Sequence, residues 1–307
     1  MKFFRWIFGH HTEVQNAETS QEYEVVSPSI EHSDDHRRRR NDIPYLLPKD
    51  IEEGSRLNLQ HYLLRYAIKS NFLAPIEEPV QHILDVGSGT GIWGQEVARQ
   101  FPSARIFGLD LEPPQSLTLS ASVALAPPNY HFVEGNVLQG LPFPDQTFHF
   151  THQRMLVLAI PSQEWPSVIR EMIRVTRVGG WVELLELGGT MYHAGPNTER
   201  MLEMANTFLL RRGFDLHIAE RLSILLKQAG LRQVEHHIID VPIGSWDTHL
   251  GTLLEKDIIS SFAAIKAGIC TQLQIAPEEY DRLLAALPAE WKKHRTHHRF
   301  HLAYGRV

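Results

Sequence analysis

The amino-acid sequence predicts an α/β fold in which helices cover both faces of a doubly wound, mainly parallel β-sheet. One observation is the stretch Gln81–Asp110, which reads as a strand, a glycine turn, a helix and a second strand that ends in an acid. Another is the alternation of short apolar runs with helical patterns, which continues to about residue 190. Strands that alternate with helices at this spacing are typical of a parallel sheet.

Length and composition narrow the class of protein. The 307 residues suit one large domain, and a 43% hydrophobic and 21% charged content is ordinary for a globular protein. The net charge of −6 gives no reason to expect a nucleic acid as partner. The single cysteine, Cys270, excludes an internal disulfide and fits a reducing cytoplasm. No apolar run approaches the roughly 18 residues of a membrane span, so we expect a cytoplasmic protein; the sequence leaves its oligomeric state open.

The N-terminal part divides into a tail and a helix. Residues 10 to about 40 are polar and have no sustained period, so we predict a disordered tail at 1–44. Its basic run Arg37–Arg40 has acids beside it, which favours a solvated linker over a phosphate-binding arm. Apolar residues at helical spacing predict a helix within 45–75, which can lie across the carboxyl ends of the strands as a lid. A solvated face and a part of the site are equally open interpretations of its polar residues Arg56, Gln60 and His61.

The core is predicted at 76–190. Beyond the opening stretch we expect a third strand at Tyr130–Val133, a fourth at Thr147–Thr151, a helix at Trp165–Val175 that Gly179 and Gly180 stop, and a fifth strand at Trp181–Leu187.

The C-terminal third differs from the core in its pattern. Residues 191–249 carry helical patterns and then a β-rich run, which we expect to form substrate-side helices and a strand. A helical block at 250–295 follows, and a terminal strand lies within 296–307. An insertion of that length between two strands is usually functional, so we expect a cap over the site.

The glycine turn predicts a nucleotide-like ligand. A turn between a strand and a helix lets a ligand approach the backbone, and the helix N-terminus presents free N–H groups. Asp110 stands 19 residues after Gly91 at the end of the second strand, where an acid accepts hydrogen bonds from a ribose diol. Dinucleotide folds have the spacing G-x-G-x-x-G, whereas this chain has G-x-G-x-G from Gly87, with Asp85 two residues ahead. The spacing therefore favours an adenosine-type ligand over a nicotinamide dinucleotide.

The segment LDVGSGTG, Leu84–Gly91, resembles the first motif of the class I S-adenosylmethionine-dependent methyltransferases almost residue for residue. The resemblance implies a seven-stranded, Rossmann-like sheet with S-adenosylmethionine as its cofactor. It implies that the glycine loop carries the amino-acid end of the cofactor, that Asp110 holds the ribose and that Leu111 packs near the adenine. Where the family usually has an aspartate at the adenine edge, this chain has Asn136. The cofactor-binding residues implied in this way are Asp85, Gly87, Ser88, Gly89, Gly91, Asp110, Leu111, Asn136, Val137 and Gln153.

A narrower resemblance spans nearly the whole chain after residue 44. The segments FHFTHQRML and EWPSVIREMIRVTRVGGWVELLEL and the closing YGR are similar to the LaeA-like proteins, methyltransferase-domain regulators of fungal secondary metabolism, and to bacterial relatives that modify small molecules. This resemblance implies an enzyme that methylates a small organic acceptor, with a secondary metabolite as the expected class. It leaves open a regulatory protein, or a protein methyltransferase, that acts through protein partners.

Three residues are candidates for catalysis. A hydroxyl or a protonated amine must lose a proton when it is methylated, and histidine is the natural base near neutral pH. His152 at the end of the fourth strand and His193 after the fifth are expected at the carboxyl edge, where open α/β sheets place their sites. Tyr45 can close from the lid, and the order of candidates is His152, Tyr45, His193. Four histidines between 294 and 301 would share a face only in a helix, so we expect no metal site there.

Overall fold

A computed structural model of the chain describes residues 51–113, 126–247 and 249–307, with side chains from residue 54 onward. The predictions for the tail at 1–44, for Arg37–Arg40 and for Tyr45 lie outside the described residues. The helices are α1 (Ile51–Ile68), α2 (Ile92–Gln100), α3 (Trp165–Val175), α4 (Pro196–Leu210), α5 (Ile218–Gln228), α6 (His249–Leu273) and α7 (Pro277–His294). The strands are β1 (His82–Val86), β2 (Arg105–Asp110), β3 (Tyr130–Glu134), β4 (Phe148–Arg154), β5 (Thr176–Tyr192), β6 (Arg232–Pro242) and β7 (His297–Arg306).

The strands form one seven-stranded sheet in the order β3-β2-β1-β4-β5-β7-β6. Strands β1 to β5 pair in parallel, and β7 is inserted antiparallel between β5 and β6. The chain leaves β1 towards β2 and β3 and then returns to β4 on the other side of β1. Open α/β sheets bind ligands where the strand order reverses, which here is the carboxyl edge of β1 and β4. The predicted seven-stranded α/β fold is confirmed.

Apolar side chains cover both faces of the sheet. Ile83 and Leu84 are neighbours on β1, and they belong to separate buried clusters because successive side chains of a strand point to opposite faces. The cluster around Ile83 contains side chains from α1, α2, α4, α6 and α7, and the cluster around Leu84 contains side chains from α3 and α5. The two clusters make the sheet the middle layer of the fold. Within the described ranges, no helix combines the length and the hydropathy that crossing a bilayer requires.

Strand β4 is longer than predicted. It continues past Thr151 because Gln153 and Arg154 pair with Leu184 and Leu185 of β5. Gln153 is therefore part of the strand, where the sequence placed it just beyond. Its side chain is held in a rigid element, which matters for the site described below.

Strand β5 also differs from the prediction at its start. Helix α3 has the predicted bounds, but the prediction that Gly179 and Gly180 stop it is wrong, because both glycines lie inside β5. The register with β4 shifts between Phe148 and Phe150, so β5 accommodates extra residues there. Gly179 has a φ of 80°, a conformation that suits glycine at such a bulge.

Candidate functional site

The glycine turn between β1 and α2 depends on a left-handed backbone. Gly87, Gly89 and Gly91 have φ values of 72°, 54° and 73°, which L-residues with a side chain rarely adopt. The N–H groups of Gly87 and Ser88 donate to the carbonyl of Leu109 at 2.8 and 3.0 Å, which folds the turn back onto the end of β2. The turn therefore lies at the carboxyl edge where the strand order reverses, directly before the N-terminus of α2.

Asp110 at the end of β2 is bound to the same turn. Its Oδ2 accepts from the N–H of Gly89 at 2.7 Å and its Oδ1 accepts from the N–H of Leu111 at 2.7 Å. The carboxylate therefore joins β2 to the middle of the glycine turn. A carboxylate oxygen accepts more than one hydrogen bond, so these contacts are compatible with the predicted ribose contact.

A tyrosine beneath the turn accounts for three glycines. Tyr130 begins β3 and is buried, and a Cβ at Gly91 would lie 2.6 Å from its hydroxyl. A Cβ at Gly94 would overlap its ring, with Cδ2 at 3.0 Å and Cε2 closer still. A Cβ at Gly108 of β2 would overlap its hydroxyl. Tyr130 was not identified from the sequence, where Gly94 and Gly108 were the available signal for it.

Asn136 caps a short 3-10 helix at Val137–Gln139. Its Oδ1 accepts from the N–H of Leu138 at 3.0 Å. The N–H of Gly135, the preceding residue, donates to the carbonyl of Asp110 at 2.9 Å. The segment of the predicted adenine contact is therefore attached to the end of β2, next to the predicted ribose contact. The adenine contact itself stays a prediction.

His152 and Asp85 form a buried pair on adjacent strands. They are register partners on β4 and β1, and the His152 Nδ1 lies 2.9 Å from the Asp85 Oδ1. The His152 ring stacks on Trp93 with ring centroids 3.9 Å apart, and its side chain is 1% exposed. Burial lowers the pKa of His152, so the ring is neutral near pH 7. A carboxylate only accepts, so Nδ1 carries the proton and Nε2 is the basic nitrogen.

Arg154 and His61 connect β4 to helix α1. The Arg154 Nη2 donates to the His61 Nδ1 at 2.9 Å, so the proton of the neutral His61 ring is on Nε2, which lies 3.3 Å from the carboxylate of Glu96. Burial, with the positive charges of Arg154 and Arg65, lowers the pKa of His61 to about 3. His61 is therefore part of a buried polar cluster, and the solvated interpretation of this residue is wrong.

Helix α1 lies against the glycine turn. Asn58 accepts from the Thr90 hydroxyl at 2.7 Å, and a Cβ at Gly89 would lie 3.4 Å from the Leu57 side chain. These contacts place α1 at the carboxyl edge of the sheet.

The same helix is joined to α6. The Arg56 Nη1 donates to the Asp257 Oδ1 at 2.8 Å, and the Gln60 Nε2 donates to its Oδ2 at 3.3 Å. Asp257 is 3% exposed, so this ion pair is buried. The polar face of α1 is directed into the protein, and its main partner on α6 was not identified from the sequence.

Gln153 and Glu186 form a second buried pair, on β4 and β5. The Gln153 Nε2 donates to the Glu186 Oε1. Glu186 also accepts from the N–H of Leu156 at 2.7 Å and of Val157 at 3.0 Å. Burial raises the pKa of Glu186 to about 7, although its three donors favour the ionised form.

Glu183 occupies a similar environment on the other face of β5. It is 0% exposed and accepts from the N–H groups of Leu73 and Ala74 at 2.8 and 2.7 Å. Burial raises its pKa to about 7. These contacts hold the connection between α1 and β1. Because Glu183 and Glu186 lie on opposite faces of β5 and bind different segments, they do not form a paired-carboxylate site.

His193 lies apart from the other candidates. It is exposed, has a φ of 56°, and follows the end of β5. Its carbonyl accepts from the Thr296 hydroxyl at 2.9 Å, and its ring centroid is 5.9 Å from that of His297. These contacts are with the start of β7. In the described part of the chain, no group of three or more His, Cys, Asp or Glu residues is arranged to hold a metal ion.

Comparisons with known proteins agree with the fold and the turn. A family model described as a methyltransferase domain matches residues 83–180. Methyltransferase pytC of Aspergillus terreus is 30% identical over 267 residues, which cover 82% of this chain and 79% of the relative. N-methyltransferase gliN of Aspergillus fumigatus is 24% identical over 286 residues, covering 85% of this chain and 96% of the relative. The secondary metabolism regulator laeA of Aspergillus fumisynnematus is 26% identical over 214 residues, which cover 66% of this chain and 54% of the relative.

The strand order, the left-handed glycine turn bound to an acid at the end of β2, and a relative matched over most of its length agree on one family. The chain belongs to the class I S-adenosylmethionine-dependent methyltransferases.

Proposed function

We propose that this methyltransferase transfers a methyl group from S-adenosylmethionine to a small organic acceptor, with a secondary metabolite as the acceptor class. The observation that carries the proposal is the glycine turn, closed onto Asp110 at the point where the strand order reverses. The names of the relatives support the acceptor class, since they include an N-methyltransferase and a regulator of secondary metabolism.

The residues of the turn fit an adenosine ligand with an amino-acid end. Gly87, Gly89 and Gly91 have no side chains and have positive φ values, so a ligand can approach the backbone of the turn, and Asp110 supplies an acceptor beside it. We assign the amino-acid end to the turn with Ser88 and Gln153, the ribose to Asp110, and the adenine to Leu111, Asn136 and Val137. Asp85 contributes by holding His152.

The cofactor supplies an activated methyl group on a sulfonium. The protein aligns the acceptor and excludes water. His152 is the first candidate for the proton acceptor, because Asp85 holds the proton on Nδ1 and leaves Nε2 as the basic nitrogen. With an exposure of 1%, His152 needs a local opening to reach an acceptor. Tyr45 and His193 remain the second and third candidates.

Helices α1 and α6 are the proposed cover of the acceptor. Support comes from the contacts of α1 with the turn, through Asn58 and Thr90, and with α6, through Arg56 and Asp257. The predicted boundaries of a lid at 45–75 and a cap at 250–295 include these two helices. We further propose a cytoplasmic location, supported by the lone Cys270, and no nucleic-acid partner, supported by the net charge of −6.

The acceptor is tested with labelled S-adenosylmethionine and fractionated extracts. We expect label in the small-molecule fraction when the wild-type protein is present. The control is the double variant Asp110→Ala with Gly89→Val, which should bind no S-adenosylhomocysteine in calorimetry and transfer no label. Label found in protein alone would refute the small-molecule acceptor and favour the regulatory alternative. Tight binding of NAD without S-adenosylhomocysteine binding would refute the cofactor assignment.

A further inference from the structure

The two polar atoms of the Gln153 side chain have different environments. The residue is 0% exposed, and its Nε2 donates to Glu186. Its Oε1 is buried and accepts from no donor in the described parts of the chain. The Glu186 Oε1 accepts from Gln153 Nε2 and from the N–H of Leu156, so the amide lies with its nitrogen towards Glu186 and its oxygen away from it. An unsatisfied buried acceptor destabilises the protein, so a ligand that donates to this oxygen gains binding free energy.

Glu186 also holds the segment that follows β4. It accepts from the N–H groups of Leu156 and Val157 at 2.7 and 3.0 Å. The Leu156 side chain packs on the glycine turn, where its methyl groups would lie 2.6 and 2.7 Å from a Cβ at Gly87. One carboxylate therefore orients the Gln153 amide and anchors the residue that contacts the first glycine of the turn.

We propose that Glu186 is a positioning residue of the cofactor site, which holds Gln153 so that its amide oxygen accepts from the α-ammonium group at the amino-acid end of the cofactor. Glu186 acts through Gln153 and does not itself touch the ligand. The inference rests on the proposed function, because it requires a ligand with a cationic amino-acid end.

Glu183 provides a matched control on the same strand. Both glutamates are 0% exposed, both accept backbone N–H groups, and burial raises the pKa of each to about 7. Glu183 holds Leu73 and Ala74 on the other face of β5, and within the described residues no hydrogen bond joins its carboxylate to Gln153. A general effect of neutralising a buried acid would therefore appear in both variants, whereas a positioning effect would appear only at Glu186.

The test is a double-mutant cycle read by calorimetry with S-adenosylhomocysteine. The proteins are the wild type, Glu186→Gln, Gln153→Ala, the double variant, and Glu183→Gln, each checked for cooperative thermal unfolding. We expect Glu186→Gln and Gln153→Ala each to weaken binding at least tenfold. The double variant should be within about twofold of Gln153→Ala, because Glu186 acts through the amide that is then missing. Glu183→Gln should bind within about twofold of the wild type.

Each contrary outcome has a distinct meaning. Wild-type affinity in folded Glu186→Gln would overturn the inference. A tenfold effect of Glu186→Gln that persists in the Gln153→Ala background would also overturn it, because the role of Glu186 would then be purely structural. If Glu186→Gln does not fold, Gln153→Met takes its place: it removes only the amide, and wild-type affinity in that variant refutes the inference. A wild-type protein that binds no S-adenosylhomocysteine would instead refute the proposed function.

Discussion

Two glycines in helices should respond in opposite directions to the same substitution. Gly94 in α2 and Gly54 in α1 both lack a side chain, and alanine at either position gains roughly 1 kcal/mol of helix stability. At Gly54 no described atom lies within 4 Å of the added Cβ. At Gly94 the added Cβ overlaps the ring of Tyr130, which is buried and has Gly91 and Gly108 against its hydroxyl.

The expected magnitudes follow from these contacts. Overpacking of a filled core costs about 1–3 kcal/mol, which exceeds the gain in helix stability. We therefore expect Gly94→Ala to lower the free energy of unfolding by up to about 2 kcal/mol, and Gly54→Ala to raise it by about 0.5–1 kcal/mol. Because Tyr130 underlies the glycine turn, Gly94→Ala should also weaken S-adenosylhomocysteine binding.

Chemical denaturation with a constant m-value measures both variants. The decisive control is Gly94→Ala in a Tyr130→Leu background, where the smaller side chain leaves room for the methyl group. The cost of Gly94→Ala should then fall by at least about 1 kcal/mol. Stabilisation by Gly94→Ala, or an equal cost in both backgrounds, would refute the assignment of Tyr130 as the residue that requires these glycines.

Other variants test the base, the buried acid and the helix contact. His152→Ala should leave S-adenosylhomocysteine affinity within about twofold while reducing methyl transfer at least tenfold; unchanged transfer removes His152 as the base. The unfolding free energy of Glu183→Gln minus that of the wild type should increase by up to about 3 kcal/mol between pH 4.5 and pH 7.5. The reason is that the folded protein holds the Glu183 proton up to a pKa of about 7, so wild-type stability is lost as pH rises through that range. A difference that is independent of pH contradicts this. Asp257→Asn should lower the unfolding free energy by about 2 kcal/mol, because Arg56 is 9% exposed and loses a charged partner; a change below about 0.5 kcal/mol speaks against the contact.

The glycine turn and the acid at the end of β2 could be predicted because their signals are local. The turn from Gly87 to Gly91 and Asp110 are close in the sequence. The glycines are needed because the backbone of the turn is left-handed, and the acid marks the end of a strand. The seven-stranded, mainly parallel sheet also follows from local alternation together with the resemblance. Helix α3 was predicted to the residue, since an amphipathic pattern and a nearby strand leave few alternatives.

The remaining features depend on contacts that no local pattern encodes. Arg56 meets Asp257, and Arg154 meets His61, which is 93 residues away. The polar residues of α1 fit a solvated face as well as a buried one until the helix that they contact is known. The bulge at Gly179 was mistaken for a helix end because glycine permits both, and the pairing with β4 decides between them.

The ion pair between Arg56 and Asp257 has a consequence for biosynthesis. Its partners are 201 residues apart, so at roughly 5–20 residues per second α1 is made about 10–40 s before the helix that receives its polar face. During that interval the buried leucines of α1, Leu63 and Leu64, lack part of their final surroundings. The nascent chain can therefore complete its glycine turn before α6 is made. Chaperone demand should therefore be concentrated at α1.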